Sequence, residues 1–350
     1  MQAFNCPSCG ARVSFEAFAC DACEQELLFD VRARCFRSAG HHAPCANRAR
    51  NVCNWATDHE SAFCRSCRLD RTVPNLGIPR NVVLWRRAEQ AKRRLLYDIS
   101  RLGLPLNREG VDVALSFDIL SDETSAPILT GHLSGHITLS LQEADDAERE
   151  ARRSLFREPY RTLLGHFRHE VGHFYWDVLI NRTRLNLPFR SIFGDERLDY
   201  TSALASYHAR ADRSFDRDHY ISEYACSHPW EDWAETFAHF LHIVATLDTA
   251  AGLPLTTDGK SGLSLEDPYR EDDFDPLLAA WTPLADSLNE LNRSMGMSDA
   301  YPFRLTPTIV GKLHFVHLAI QATTAGTASR SAETVRVASR IASTAALNGP

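Results

Sequence analysis

The chain has 350 residues, 44% of them hydrophobic and 24% charged, with a formal net charge of -7. That length admits two or three domains, and the composition is that of an ordinary globular protein. The negative balance excludes a general electrostatic attraction to nucleic acid or anionic membrane. The absence of any run of about 18 apolar residues argues against a transmembrane helix.

The N-terminus, MQAFNCPSCG, has neither a basic n-region nor an apolar h-region. No Sec signal is expected, and a cytoplasmic location with no membrane partner follows. In a reducing compartment, clustered cysteines mean metal more often than disulfides. Nine of the ten cysteines lie before residue 68. Cys6 and Cys9 form one CxxC knuckle and Cys20 and Cys23 another, so four thiolates can converge on one structural zinc ion. Cys45, Cys53, Cys64 and Cys67 form a second set, in which only Cys64 and Cys67 make a CxxC. Cys35 is the odd cysteine and competes with Cys45 as a ligand, with His41, His42 and His59 as lesser competitors. Closed four-thiolate sites hold structure and do no chemistry. A segment this short with few large aliphatic residues needs such a staple. Zinc ribbons contact protein or nucleic acid, and this one lacks a dense basic stripe.

Domains are expected at 1–70 (a zinc-ribbon module with two four-cysteine sites), 71–322 (the main folded domain) and 323–350 (a disordered tail rich in Ala, Ser and Thr). The stretch TVPNLGIPRN (72–81) reads as a linker or docking turn. Val82–Leu102 has helical periodicity; residues 111–120 and 136–144 alternate like strands. Helices are expected over 156–182, 196–212, 229–249, 284–295 and 309–322. The Arg- and Lys-rich run 80–102 and the acidic run 264–276 read as solvated faces. The order gives an α+β fold, mainly helical, with a small β-sheet beside an active-site helix.

Within GHFRHEVGHFYWD (165–177), His169-Glu170-Val171-Gly172-His173 is an HExxH motif. Two imidazoles at i and i+4 share a helix face and can grip one zinc ion, while Glu170 can take a proton from the attacking water. The plainer reading is an amphipathic helix with surface histidines, and the apolar flanks argue against it. His166, one turn earlier, reads as a supporting or surface histidine. A catalytic zinc needs a third protein ligand. Downstream, Glu231 and Glu235 are also i and i+4, flanked by Trp233, Phe237 and Phe240, where unpaired carboxylates are costly. Glu231 is the expected ligand and Glu235 the orienting partner of a ligand histidine. Asp177 and the pair Asp195 and Glu196 remain rivals; the alternative role for Asp195 and Glu196 is to line the cleft or bind a substrate amine. Tyr224 can donate to an oxyanion, or it is a core tyrosine. Asn292–Gly296 packs near the site or, more plainly, ends a helix at Gly296. No GxGxxG or GKS/T loop supports nucleotide use.

HExGH followed by YAxxxPxExxAExF resembles the active site of gluzincin metallopeptidases, especially lethal-factor-like toxin peptidases. In those the first downstream Glu binds zinc and the Tyr assists, which maps onto Glu231 and Tyr224, with Glu235 matching the second Glu. The strings CPSC, CNW, FCRSC, RTLLGHFRHEVGHFYWD, FGDERLDY, HPWEDWAETFAHFLH and NRSMGMSDAYPF carry a closer resemblance. It is to bacterial zinc-binding metallopeptidases with an N-terminal zinc ribbon, and it spans residues 6–303. It implies that 71–322 is a zincin-like metallopeptidase domain, with hydrolysis of a protein or peptide substrate by a zinc-activated water, Glu170 as base, and Zn2+ in one catalytic and two structural sites. The alternative is a ribbon that binds protein or nucleic acid beside a catalytically silent HExxH domain.

Overall fold

The computed structural model describes residues 2–57, 61–108, 113–121, 128, 130–156, 158–253, 256–257, 260–261 and 265–324. Eight α-helices and several small sheets are formed among them, the mixed, mainly helical architecture expected. His59 and the tail from 325 onward lie outside the described residues. Two compact units are formed: the first draws on the stretches 1–101, 113–167 and 248–263, the second on the remainder.

In the first unit, two short hairpins open the chain. Phe4–Asn5 pairs with Arg12–Val13, and Leu27–Asp30 with Cys35–Ser38, both antiparallel. Each places aromatic side chains inward. Phe15 packs edge-on against Phe29 with ring centroids 4.8 Å apart, Phe29 against Phe36 at 5.3 Å, and Phe15 against Tyr97 at 5.5 Å. The shortage of large aliphatics is thus met by an aromatic cluster, whose edge-to-face pairs add to the burial. Tyr97 belongs to α1 (Pro79–Leu102). The four-stranded sheet of this unit runs in the order Asp70–Thr72, Ser116–Leu120, His136–Ser140, Gly131–Leu133. Its first two junctions are parallel and the last antiparallel.

The basic run on α1 is the solvated face expected only in part: Arg80, Arg86 and Arg87 are exposed. Lys92, Arg93 and Arg101 are almost wholly buried. Lys92 Nζ lies 2.6 Å from Glu89 Oε1 and also contacts Asp70 Oδ1. Arg93 donates to the carbonyl of Val52 at 2.7 Å, and Arg101 pairs with Asp248 at 3.1 Å. Periodicity identified the helix, but buried partners far along the chain claimed its cations. The acidic run keeps Glu266, Asp272 and Asp273 exposed, as expected.

The helix expected over 156–182 is realised from Leu163 to Leu179 only, and the helix that ends at Phe156 was not expected. After α2 (Asp146–Phe156) the chain restarts at α3 (Leu163–Leu179). Pro159 disfavours helix before it, and Thr162 Oγ1 accepts from Gly165 N at 2.9 Å, an N-cap for α3.

The second unit is built on α3, α4 (Asn186–Phe193), α5 (Tyr200–Ala209), α6 (Pro229–Ala251), α7 (Phe274–Ser294) and α8 (Pro307–Thr324). α6 is buried nearly all round, so its residues face neighbours on every side. Phe193, Trp233 and Phe315 pack mutually at 5.8–6.2 Å. At the end of α7, Gly296 has φ +74°, with Gly296 N bonded to Arg293 O and Met297 N to Asn292 O, a Schellman cap. The plainer reading of that segment is therefore the one realised.

His239, His242 and His317 of this unit sit in surroundings that disfavour a charged imidazole. Burial pushes His239 down to about 4 and His317 to about 4, and burial with Arg168 alongside holds His242 well below its ordinary range. Each is neutral when folded and takes up a proton only on unfolding. Their depressed folded values mean that stability is present above the unfolded value of about 6.5 and is lost as pH falls towards 4. Each contributes a slope of about 1.4 kcal/mol per pH unit, so the three together approach about 4. Thermal melts at pH 7, 6, 5 and 4.5 should show this loss; a flat profile would contradict it.

Candidate metal centres

The two sets of cysteines close as tetrads. In the first, Cys6 Sγ lies 3.7 Å from Cys23 Sγ, and Cys9 Sγ 3.6 Å from Cys20 Sγ. In the second, Cys53 Sγ lies 3.5 Å from Cys64 Sγ, and Cys45 and Cys67 complete a fully buried group. Ligands at about 2.3 Å in a tetrahedron stand roughly 3.7–3.8 Å apart, so both tetrads fit a zinc ion. Cys45, not Cys35, closes the second set; Cys35 sits on the hairpin opposite Asp30, and His42 is half-buried outside the tetrad. Cys67, Asp70 and Glu89 also approach one another, but the Lys92 ammonium already supplies a cation there.

The third centre lies within the second unit. α3 presents His169 and His173 on one face, with ring centroids 4.9 Å apart. α6 presents Glu231, which is 1% exposed. Its Oε2 stands 3.0 Å from His169 Nε2 and 3.3 Å from His173 Nε2. The close approach of the two helices depends on Gly172: a Cβ there would stand 3.0 Å from Ala234 Cα. Trp233 Nε1 donates across the same junction to Gly172 O at 2.8 Å.

Hydrogen bonding assigns the protons. His169 Nδ1 lies 2.6 Å from Glu235 Oε1, and Glu235 Oε2 accepts from Ser222 at 2.6 Å. Burial opposes ionisation of Glu235, but the His169 hydrogen bond and charge prevail and hold it at about 2. An ionised carboxylate only accepts, so Nδ1 carries the imidazole proton and Nε2 is left as a lone pair. That lone pair faces Glu231 Oε2. Two acceptors 3.0 Å apart repel unless a cation lies between them. Without one, the site attracts a proton instead: against the pull of burial, the carboxylates drive His169 well above its ordinary value. Donors tetrahedrally bound at about 2.0–2.1 Å stand roughly 3.3–3.4 Å apart, so the nitrogen–nitrogen–oxygen set suits zinc.

The rival ligands are engaged elsewhere. Asp177 accepts from Asn181 at 2.9 Å. Asp195 is paired with Arg197 at 2.7 Å, and Glu196 with Arg190 in a two-pronged contact of 2.5–3.1 Å. His166 Nδ1 stands 3.1 Å from Glu143. Tyr224 sits beside the centre, its ring centroid 5.7 Å from that of His169. Burial, with Glu231 next, pushes its phenol well above the ordinary range, so it keeps its proton. Glu170 is 9% exposed, and its charge is felt by the phenols of Tyr200 and Tyr224.

Two neighbours went unassigned in the sequence. Trp230 lies against His173 with centroids 4.0 Å apart, and Tyr200 donates to Glu231 Oε1 at 2.5 Å. Tyr200 stands in the string FGDERLDY, which carried the family resemblance. An aspartate followed by an aromatic at a helix start was the available signal.

Among the described residues no helix is long and apolar enough to cross a membrane. Residues 3–78 match a zinc-ribbon domain model, and residues 81–319 match the model of the family described as "Putative zinc-binding metallo-peptidase". An uncharacterised protein of Mycobacterium bovis is 39% identical over 329 residues, covering 91% of this chain and 95% of its own. Uncharacterised proteins from two strains of Mycobacterium tuberculosis match with the same identity and coverage. No solved structure matches. With more than half of its length matched, the chain belongs to this family of zinc-binding metallo-peptidases with an N-terminal zinc ribbon.

Proposed function

We propose that the chain is a gluzincin-like zinc peptidase in which His169, His173 and Glu231 hold the catalytic ion. The observation that carries this reading is the convergence of two imidazole Nε2 atoms on one buried carboxylate oxygen, at 3.0 and 3.3 Å. Bound zinc supplies a Lewis acid for the peptide carbonyl and lowers the pKa of water. Glu235 fixes the tautomer and tilt of His169, the usual work of a carboxylate behind a metal-bound imidazole. Glu170, one residue from the first ligand, accepts a proton from the attacking water and returns it to the leaving amine. Tyr224, kept protonated, donates to the developing oxyanion. The two tetrads hold structural ions, and the ribbon recruits substrate or a protein or nucleic-acid partner. Ten unpaired thiols suit a reducing cytoplasm.

Metal counting tests the site. Wild type should carry three zinc ions per chain, one released by mild chelation. Glu231→Gln should carry two, with both tetrads loaded. Two ions in wild type, none of them labile, would instead favour a ribbon-based binding protein with a silent HExxH domain.

A further inference from the structure

The two oxygens of Glu231 have different surroundings. Oε2 faces His169 and His173 at 3.0 and 3.3 Å, whereas Oε1 accepts the Tyr200 phenol at 2.5 Å. We propose that Tyr200 is a positioning residue of the metal centre, which engages Oε1 so that Glu231 ligates through one oxygen only. This rests on the reading of Glu231 as a ligand.

The physical reason lies in how carboxylates meet cations. A carboxylate beside a metal binds through one oxygen or through both. A catalytic zinc keeps a position open beyond its three protein ligands, and a second Glu231 oxygen would compete for it. A hydroxyl donating to a carboxylate makes a short bond, about twice as strong as a neutral one. The Tyr200 bond has that length.

The segment before Tyr200 is braced from several directions. Glu196 is clamped by Arg190 and Asp195 by Arg197. Gly194, at φ +103°, passes so close to Pro229 that a Cβ would stand 3.2 Å from its Cγ. Asp199 caps α5 by accepting from Ser202 N at 2.6 Å. His228 Nδ1 accepts from Trp230 N at 3.1 Å, which leaves Nε2 to donate to Leu198 O, also at 3.1 Å. The ring of Tyr200 then stands edge-on to His228 at 5.3 Å and to Trp230 at 5.5 Å. Trp230 in turn packs on the ligand His173. The start of α5 is thereby fixed to the start of α6, and the phenol is aimed at one oxygen.

Tyr200→Phe keeps the ring contacts and removes the hydroxyl, which donates to Glu231 and also meets the phenol of Tyr224. It should retain three zinc ions and both tetrads. Chelator competition should show the labile ion held about 10–100-fold more weakly, the usual cost of losing a partner behind a ligand. Cobalt placed in that site should show weaker visible absorption, the signature of a higher coordination number. Loss of packing alone would lower the melting temperature and leave the cobalt bands unchanged. His228→Asn, which frees Leu198 but leaves the phenol, should move both readouts in the same direction by less, and it serves if Tyr200→Phe does not fold. Wild-type affinity and wild-type cobalt bands in the folded variants would overturn the proposal. If Glu231→Gln also retains three ions, the ligand assignment itself fails; if it retains two, only the role of Tyr200 falls.

Discussion

Replacing Glu170 by Gln should lower peptide hydrolysis about 10²–10⁴-fold, the range typical of a lost general base, while three zinc ions remain bound. The substitution is nearly isosteric and removes the proton acceptor without emptying the space. Glu170 lies outside the converging set of His169, His173 and Glu231, so metal content should not change. It is nearly buried; burial and then Glu231 raise the phenols of Tyr200 and Tyr224 most, and the Glu170 charge adds to both, which places it in their shared surroundings. The loss should appear in kcat with KM little altered, because the group acts only as the barrier is crossed. The measurement is cleavage of a peptide library by wild type and variant, each with its zinc counted. A variant that cleaves like wild type would remove Glu170 from the mechanism. A variant that loses the labile ion would mean that its role is structural.

The parts of the centre legible in the sequence are those set by spacing along one helix. His169 with His173, and Glu231 with Glu235, are i and i+4 pairs, and a helix places each pair on one face regardless of the rest of the fold. The cysteine knuckles are legible for the same reason, since CxxC brings two thiolates to one ion. Tyr200 was not legible as a partner because it reaches Glu231 across 31 residues, and its alignment depends on Asp199, His228 and two arginine clamps. None of these has a diagnostic spacing to it. The carboxylates of FGDER illustrate the converse: Asp195 and Glu196 are plausible ligands by residue type, but Arg190 and Arg197 engage them first.

The fold divides along the same line. Most helices were readable from periodicity, with ends moved by a few residues, but α7, expected from 284, begins at Phe274. The helix expected over 156–182 starts late, at Leu163, because Pro159 and the Thr162 cap punctuate its first turns, local signals weaker than the apolar pattern that spans them; the highly charged α2 was not read at all. α4 was missed because eight residues give little more than two turns of periodicity. The buried cations of α1 were missed for a different reason. A charged residue reads as solvent-facing unless its partner is known, and Lys92 and Arg101 meet theirs through tertiary contacts with Asp70 and Asp248.

Cys64→Ser should cost one zinc ion and the cooperative melt of the first unit, whereas Cys35→Ser should change neither. The Cys64 side chain is fully buried, its Sγ 3.5 Å from that of Cys53, and its backbone N donates to Cys45 Sγ. The neighbouring sulfurs, Cys45 first, and burial push its thiol well above the usual range. Four thiolates therefore cannot persist together there without a cation. Ion binding and folding are then one process. Structural zinc contributes about 10–16 kcal/mol in small modules, against about 5–15 kcal/mol for the net stability of a whole domain. Weakening that contribution by even half exhausts the margin, so the expected result is a broad or absent transition rather than a small shift. Cys35 is half-buried on a hairpin strand and belongs to neither tetrad, so its change should stay within about 0.5 kcal/mol. Zinc counts beside thermal melts of both variants decide the matter. A Cys64→Ser protein that keeps all its metal, or a Cys35→Ser protein that loses an ion, would show that the second tetrad is closed by a different cysteine.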